Sequence, residues 1–353
     1  MIRQRSHRTT IEATDRVVLY PTCGHFDSDS QTWRIEVRGT VFEAGAISWR
    51  KQVLLRVLQR AAKVRPDESQ RAIFESRIRE FIAPTERGKR LAVHVGDNIY
   101  PIRKKTKRNG RFVGNVRIPR AEVEGLQHDG HLADGWLKLR IETPYGDDRG
   151  FVGRARLIET QGISIISDID DTIKVTDVHC RRSLLENTFL REFRAIDGMA
   201  EIFRHWEAQG AAFHFVSSSP WPLYSPLEEF LQATGFPGGT FHLRSFRLHQ
   251  HMLRRLLLIR RRGKMASMHA IMRRFPTRQF LLVGDSGEQD PEFYGMLARK
   301  YPSQVVGIYI RDLDALPMSA ERCRKAFRNM PIDRYLIFRD TDELPKRLPS
   351  PAK

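Results

Sequence analysis

Cysteine, long apolar runs and low-complexity tracts are scarce or missing in this chain of 353 residues. The three cysteines, Cys23, Cys180 and Cys323, are an odd number without paired spacing, which argues against a disulfide framework or a zinc knuckle. None of them begins a Cys-x5-Arg loop, so cysteine-based phosphate chemistry lacks its residues.

No apolar run reaches the roughly 20 residues that a helix needs to span a bilayer. The amino terminus is polar and basic without an apolar stretch behind it, which is unlike a secretory signal. We therefore expect a cytoplasmic protein without a transmembrane segment, a location that is compatible with peripheral membrane contact.

Acidic residues are too few to balance the basic ones, because 42 Asp and Glu face 60 Lys and Arg and leave a formal net charge of +18. The excess is spread over both halves, and a field of this sign favours an anionic partner such as phosphate-bearing lipid, an acidic membrane surface or nucleic acid. The length and the 41% apolar content predict a globular chain of two domains. Nothing in the sequence indicates the oligomeric state.

Short strand patterns separated by turn residues dominate residues 1–160, and Asn109-Gly110 is a strong hairpin signal. We expect a β-rich, sandwich-like domain there, with a helical insert at residues 51–82. From residue 161 strands and helices alternate, which predicts βαβ crossovers and a mostly parallel sheet over residues 161–340. Residues 341–353 contain three prolines and mixed charge, and we expect a poorly ordered tail. The predicted strands of the second domain are residues 163–167, 213–217, 240–244, 279–283 and 305–310.

The most informative stretch is ISIISDIDDT at residues 163–172, an apolar strand pattern that ends in three carboxylates and a threonine. Side chains alternate along an extended chain, so Asp168, Asp170 and Thr172 are expected to project to one side. Ligands of open α/β sheets bind at the carboxyl ends of strands. Two carboxylates facing one small volume repel each other unless a cation lies between them, and Mg²⁺ prefers oxygen ligands.

A second strand pattern, QFLLVGDSGEQD at residues 279–290, also runs into acids, Asp285 and Asp290. Neighbouring parallel strands deliver their carboxyl ends to the same sheet edge, so the two patterns together predict a metal site. A structural alternative is that each acid closes a strand or caps the next helix.

Several strings beyond these acids are similar to those of a known family. The strand FHFVS at residues 213–217 and Lys264 complete four motifs that resemble those of the haloacid dehalogenase superfamily of phosphotransferases. The longer strings resemble, more narrowly, the actin-patch-associated phosphatidate phosphatase family. They are SDIDDTIK at residues 167–174, VSSSPWPLY at 216–224, GDSGEQDP at 284–291 and IYIRD at 308–312.

The resemblance implies a Rossmann-like sheet of haloacid dehalogenase type, with Asp168 as a nucleophile that forms an aspartyl-phosphate. It implies that Asp170 acts as general acid and then as general base. Mg²⁺ would be held by Asp168, the Asp170 carbonyl and Asp285, with Asp290 in support. Ser217 and Lys264 would hold phosphoryl oxygens, and Thr172 would brace the loop at the substrate. The gaps between motifs are too short for a large cap domain, so we expect a minimal cap and an open pocket.

Some of these assignments keep a structural alternative. Ser217 could simply terminate a strand, Lys264 is one of 60 basic residues, and Asp290 could cap a helix. Two basic segments, residues 252–262 and 103–111, are candidate contacts for anionic lipid. The alternative for residues 252–262 is a core helix with basic flanks, and the alternative for residues 103–111 is a solvated hairpin tip.

Three functions remain open on the sequence alone. The first is a Mg²⁺-dependent phosphatidate phosphatase that releases diacylglycerol and phosphate at a membrane surface. The second keeps this chemistry but acts on a soluble phosphomonoester or a phosphoprotein. The third is a basic nucleic-acid or membrane-binding module without turnover, which the full set of motifs argues against, so that nucleic acid is an unlikely partner.

Overall fold

The computed structural model of the chain describes residues 9–45, 66–245 and 261–349, together with helical positions 52, 53, 56 and 59. The chain divides into two compact units. The first comprises residues 1–47 and 82–159, and the second comprises residues 48–81 and 160–353. Residues 48–81 thus group with the second unit, whereas the predicted division at residue 160 put them with the first. Among the helices in the described ranges, none is long and apolar enough to cross a membrane.

In the described part of the first unit, nine strands form one sheet. Its core includes the alternate residues Ile35 and Val37 of one strand and Leu137 and Leu139 of another. The strands are β1 (Asp15–Tyr20), β2 (Thr22–Asp27), β3 (Thr32–Glu43), β4 (Leu91–Val95), β5 (Asn98–Ile102), β6 (Arg111–Pro119), β7 (Leu132–Ala133), β8 (Trp136–Ile141) and β9 (Val152–Ile158). Helix α2 (Arg120–His128) follows β6.

The prediction of a β-rich first domain is confirmed, but its strands form a single sheet. The order is β1-β3-β2-β9-β8-β4-β5, with β6 paired to β3 and β7 to β8. The twelve-residue strand β3 joins these parts, because β1 and β2 pair along one edge of it and β6 along the other. Among the strands described for this unit, only β2 and β9 pair in parallel.

The second unit is built on a six-stranded, fully parallel sheet, as the alternating pattern predicts. Its order is β12-β11-β10-β13-β14-β15, so β10 lies where the connections change direction. That arrangement is the doubly wound order of Rossmann-like sheets, in which ligands bind beyond the carboxyl ends near the change of direction. The strands are β10 (Ile163–Ser167), β11 (Ala212–Pro220), β12 (Gly239–Arg244), β13 (Gln279–Asp285), β14 (Val305–Arg311) and β15 (Tyr335–Phe338).

The helices of the second unit occupy the crossovers and the segment before residue 82. Aromatic side chains pack on one another inside the unit, with ring centroids 5.2 Å apart for Phe203 and Phe213 and 5.4 Å apart for Phe203 and Trp206. The helices are α1 (Glu68–Ile82), α3 (Arg181–Phe189), α4 (Met199–Ala208), α5 (Tyr224–Ala233), α6 (Arg261–Arg274), α7 (Asp290–Lys300) and α8 (Ala320–Ala326).

The segment Thr341–Pro349, expected to be poorly ordered, packs against the second unit. Leu344 is buried, and the Trp206 indole N–H donates a hydrogen bond of 2.9 Å to the Pro345 carbonyl. The Gln209 amide donates to the Lys346 carbonyl at 2.8 Å. Proline content therefore misleads here, because the carbonyl groups beside these residues still accept hydrogen bonds.

Helix α1 joins the second unit through a buried arginine. The Arg77 guanidinium carbon lies 3.3 Å from the centroid of the Phe193 ring, and its Nη1 donates to the Thr188 carbonyl at 3.2 Å. Burial lowers the pKa of Arg77 to about 10, against the raising effect of Glu192, so the side chain remains charged at neutral pH. A cation–π interaction is strongest when the cation is desolvated, so Arg77 stabilises the packing of α1 in this unit.

We expect Arg77→Met to lower the free energy of unfolding by about 2 to 3 kcal/mol, because it removes a desolvated cation–π contact and a hydrogen bond while keeping the apolar stem. Arg79→Met, at an exposed position of the same helix, should change it by less than about 0.5 kcal/mol. Urea denaturation of the full chain checks both values. Equal effects of the two substitutions would contradict this role for Arg77.

Candidate active site

The chain turns sharply where it leaves β10, and this turn separates the role of Asp171 from those of Asp168 and Asp170. Asp171 has a φ of +57°, in the left-handed region that Asp tolerates better than most residues. Its carboxylate accepts hydrogen bonds of 2.7 to 2.8 Å from the backbone N–H groups of residues 176–178. Asp171 therefore holds the loop closed, which leaves Asp168 and Asp170 for the site.

Three acids from separate elements meet at the carboxyl edge of the parallel sheet. Asp168 follows β10, Asp285 ends β13, and Asp290 begins α7. One oxygen from each lies within 4.8 Å of the others, and the three residues are between 0 and 2% exposed. The pairing of β10 with β13 brings the strand ends together, and the Asp168 N–H donates to the Val283 carbonyl at 2.9 Å.

Lys264 reaches this acidic cluster from α6. Its Nζ lies 2.9 Å from Asp168 Oδ1, 2.5 Å from Asp290 Oδ1 and 3.7 Å from Glu288 Oε2. Asp285 takes no part in these ion pairs. Its Oδ1 accepts from the Gly287 N–H at 2.7 Å, and its Oδ2 accepts from the Thr172 hydroxyl at 3.3 Å.

One ammonium does not balance the negative charge gathered here. Burial raises the pKa of Asp168 well above its usual value, Lys264 opposes this rise, and Asp290 and Asp285 add to it. Burial also raises the pKa of Asp285, with Asp290 as the next largest cause. For Lys264, burial lowers the pKa, but Asp168 and Asp290 outweigh burial and raise it well above its usual value. The cluster thus retains an excess of buried carboxylate that a further cation could neutralise.

Asp170 belongs to a second, neighbouring cluster. Its Oδ2 accepts hydrogen bonds of 2.9 Å from the hydroxyls of Ser217 and Ser219. Its Oδ1 accepts from the Thr176 hydroxyl at 2.8 Å and pairs with Lys174 Nζ at 2.9 Å. Burial raises the pKa of Asp170, but Lys174 and the hydroxyl donors outweigh burial and lower it to about 2.

The seven residues selected from the sequence thus fall into two groups. Asp168, Lys264, Asp285 and Asp290 share one cluster, and Thr172 is hydrogen-bonded to it. Asp170 and Ser217 form the other, where the Ser217 hydroxyl donates to a carboxylate. The proposed contacts of Ser217 and Lys264 with phosphoryl oxygens stay predictions.

Sequence reasoning missed the donors around Asp170. Lys174 is 1% exposed, and its Nζ lies 4.7 Å from the centroid of the Phe193 ring, which the Arg77 guanidinium also contacts. A lysine is rarely buried without an acidic partner, so the presence of Asp170 four residues before Lys174 is the signal that could have found this pair. The hydroxyls of Thr176 and Ser219 had no comparable signal.

A cavity of about 420 Å³ opens beside Lys264. Phe293, Leu316 and Pro317 contribute apolar surface to its lining, and the polar groups come from Lys264, Ser218, Glu288, Gln289 and Glu292. Arg322 also lines it, held by hydrogen bonds from its Nη1 to the Ser286 carbonyl at 2.5 Å and from its Nη2 to the Glu288 carbonyl at 2.7 Å. The lining thus combines charged groups of both signs with an apolar surface.

The two basic segments considered for lipid contact differ in what the structure describes. Residues 103–110 connect β5 to β6, which begins at Arg111, and Lys104 and Lys105 are exposed there. Residues 252–260 of the apolar run at 252–262 lie outside the described residues.

Comparison with known proteins singles out the unit that contains these clusters. Residues 163–312 match the family model of the phosphatidate phosphatase APP1 catalytic domain. Residues 163–312 belong to this catalytic-domain family. The match includes Asp168, Asp170, Lys264, Asp285 and Asp290.

Two curated proteins are similar to part of this chain. Phosphatidate phosphatase APP1 of Saccharomyces cerevisiae is 32% identical over 182 residues, which cover 50% of this chain and 30% of that protein. An uncharacterised protein of Schizosaccharomyces pombe is 34% identical over 169 residues, which cover 47% of this chain and 27% of that protein. The chain thus spans less than a third of the length of these relatives.

A solved structure of a Pnkp1/Rnl/Hen1 complex aligns with 51% of this chain and 57% of the matched chain, at 13% identity and a TM-score of 0.29. This similarity is too low to indicate a shared fold.

The packing at Gly284, which precedes Asp285, yields a prediction. A Cβ at position 284 would overlap the Asp290 carboxylate and come within 2.8 Å of the Tyr294 ring, and both groups are fully buried. We expect Gly284→Ala to lower the free energy of unfolding by about 1 to 3 kcal/mol through overpacking. Gly263→Ala is the matched control, because its Cβ would meet nothing within 4 Å and alanine favours a helix. Thermal denaturation of both variants tests this. A Gly284→Ala protein as stable as the wild type would contradict the described packing.

Proposed function

We propose that this protein is a Mg²⁺-dependent phosphatidate phosphatase that hydrolyses phosphatidate to diacylglycerol and phosphate through an aspartyl-phosphate. Its catalytic unit would be of the haloacid dehalogenase type, with a minimal cap. The observation that carries the proposal is the meeting of Asp168, Asp285 and Asp290 within residues matched to a phosphatidate phosphatase catalytic domain.

The chemistry of the acidic cluster fits Mg²⁺. Its donors are carboxylate oxygens, which this ion prefers, and Asp168 Oδ2 is buried without a hydrogen-bond partner among the described residues. Asp168, the Asp170 carbonyl and Asp285 would hold the ion, with Asp290 in support. When bound, Mg²⁺ would supply positive charge to the phosphoryl oxygens and to the crowded carboxylates.

Asp168 is the proposed nucleophile. One of its carboxylate oxygens forms a bond to phosphorus while the bond from phosphorus to the glycerol oxygen breaks, and the leaving oxygen then takes a proton to become the diacylglycerol hydroxyl. Lys264 stabilises the ionised form of Asp168 by its ion pair, and its charge is positioned to offset negative charge on a phosphoryl group.

Asp170 is in the ionised form that the proposed general base needs in the second half of the reaction. With a pKa of about 2 it is ionised at neutral pH, so it can take a proton from the water that hydrolyses the aspartyl-phosphate. An ionised carboxylate cannot donate a proton to the leaving oxygen. For the general-acid step Asp170 must first gain a proton, which its ion pair with Lys174 opposes.

The substrate assignment rests on the cavity and on the charge of the chain. The cavity lining contains cations, acids and three apolar residues, Phe293, Leu316 and Pro317. This apolar surface supports an acylated substrate over a wholly polar ester. The net charge of +18 favours approach to an anionic bilayer.

The proposal predicts Mg²⁺-dependent release of phosphate from phosphatidate in mixed micelles. Asp168→Asn should lower kcat by about 10³-fold or more, because it removes the nucleophile. Asp333→Asn, an exposed acid in the same unit, should retain full activity. Chelation of Mg²⁺ should abolish turnover by the wild-type protein.

Parallel assays with soluble phosphomonoesters test the substrate class. A higher kcat/KM for soluble esters than for phosphatidate would replace the lipid assignment while leaving the chemistry intact. Equal activity of the wild-type protein and Asp168→Asn, or no turnover of any ester with Mg²⁺ present, would refute the mechanism.

A further inference from the structure

The strand pair β8–β9 in the first unit has a strongly basic outer face. Leu137, Leu139 and Ile141 of β8 and Ala155 of β9 are buried in the core, so the alternate positions face away from it. The register pairs Trp136 with Arg156, Lys138 with Arg154, and Arg140 with Val152, and we call these six positions the β8–β9 face.

Four of the six residues of the β8–β9 face are cations and none is an acid. Lys138 and Arg140 are exposed. The guanidinium carbons of Arg154 and Arg156 lie 4.5 and 5.6 Å from the centroid of the Trp136 ring. The rise along a strand places these charges within a patch about 13 Å long. Such a concentration of one sign in a small area attracts a surface of opposite charge.

Exposed aliphatic side chains flank these cations. The register across four strands aligns Ile99, His94, Arg140 and Val152 in one row, with the aliphatic residues at its two ends. Val152 is 52% exposed and Ile99 is 40% exposed. Burial and the nearby charge of Arg140 lower the pKa of His94, so this row contains one cation at neutral pH. The surface is therefore both cationic and partly apolar.

We propose that the β8–β9 face docks the protein on an anionic membrane, with its cations on lipid headgroups and Val152 and Ile99 at the acyl boundary. Anionic headgroups attract each nearby cation, and apolar side chains gain from leaving water at the interface. Trp136 has the amphipathic character that favours this depth. A nucleic acid would also be attracted by the cations, but its phosphodiester backbone offers no apolar layer for the exposed aliphatic residues.

This docking surface goes beyond the proposed function, and its test is independent of catalysis. Vesicles of phosphatidylcholine with about 30 mol% phosphatidylglycerol are suitable, because phosphatidylglycerol is a phosphodiester and not a substrate for phosphomonoester hydrolysis. Co-flotation of the full chain with these vesicles measures binding.

We expect the wild-type protein to bind anionic vesicles, with an affinity that falls as salt rises, and to bind pure phosphatidylcholine weakly. The double variant Lys138→Glu/Arg140→Glu should bind anionic vesicles at least about 30-fold more weakly than the wild type, because each cation near an anionic surface contributes about fivefold to the affinity. The control Lys104→Glu/Lys105→Glu makes the same change in net charge at the exposed loop between β5 and β6, and should stay within about threefold of wild type.

Val152→Ser supplies a second test that leaves the charge unchanged. It should weaken binding by about fivefold to tenfold while preserving the salt dependence, because it removes only apolar burial. Circular dichroism of each variant checks that the fold is intact.

Three outcomes would overturn the proposal. One is wild-type protein that does not float with anionic vesicles. Another is an equal loss in the two double variants, which would assign binding to the overall charge. The third is binding to a DNA duplex that Lys138→Glu/Arg140→Glu abolishes while vesicle binding persists.

Discussion

The crowding of buried carboxylates around a single lysine is the constraint on which the catalytic unit depends. Asp168, Asp285 and Asp290 are almost wholly removed from water, and Lys264 pairs directly with only two of them. A buried charge without compensation is costly, so this arrangement is unfavourable unless protons or another cation complete it. The proposed binding of a divalent ion would relieve the same imbalance.

The surrounding structure serves to hold these groups at one place. Parallel pairing of β10 and β13 sets two strand ends side by side, and Gly284 leaves room for Asp290 to approach. The left-handed Asp171 closes the loop after β10. A continuous series of contacts, from Arg77 through Phe193 to Lys174, connects helix α1 to Asp170. A segment more than 80 residues before the family match thus packs against the partner of a proposed catalytic residue.

Much of this site was accessible from the sequence because its signals are local. Apolar runs that end in acids predicted both strand ends, and alternation of strands and helices predicted the parallel sheet. The partners of Asp170 were not accessible, because Ser219 and Thr176 become donors only through the bend of β11 and the loop after β10. The grouping of α1 with the second unit and the packing of Thr341–Pro349 depend on long-range contacts, such as those of Arg77 and Trp206, that no local pattern encodes.

The central claim is that the acidic cluster binds a divalent cation, and crystallographic anomalous scattering from Mn²⁺ tests it most directly, since Mn²⁺ accepts the same oxygen ligands as Mg²⁺. The account predicts one strong anomalous peak within about 2.0 to 2.6 Å of carboxylate oxygens of Asp168 and Asp285. A structure soaked or grown in Mn²⁺ that shows no peak there, with Asp168 and Asp290 still paired only to Lys264, would contradict it.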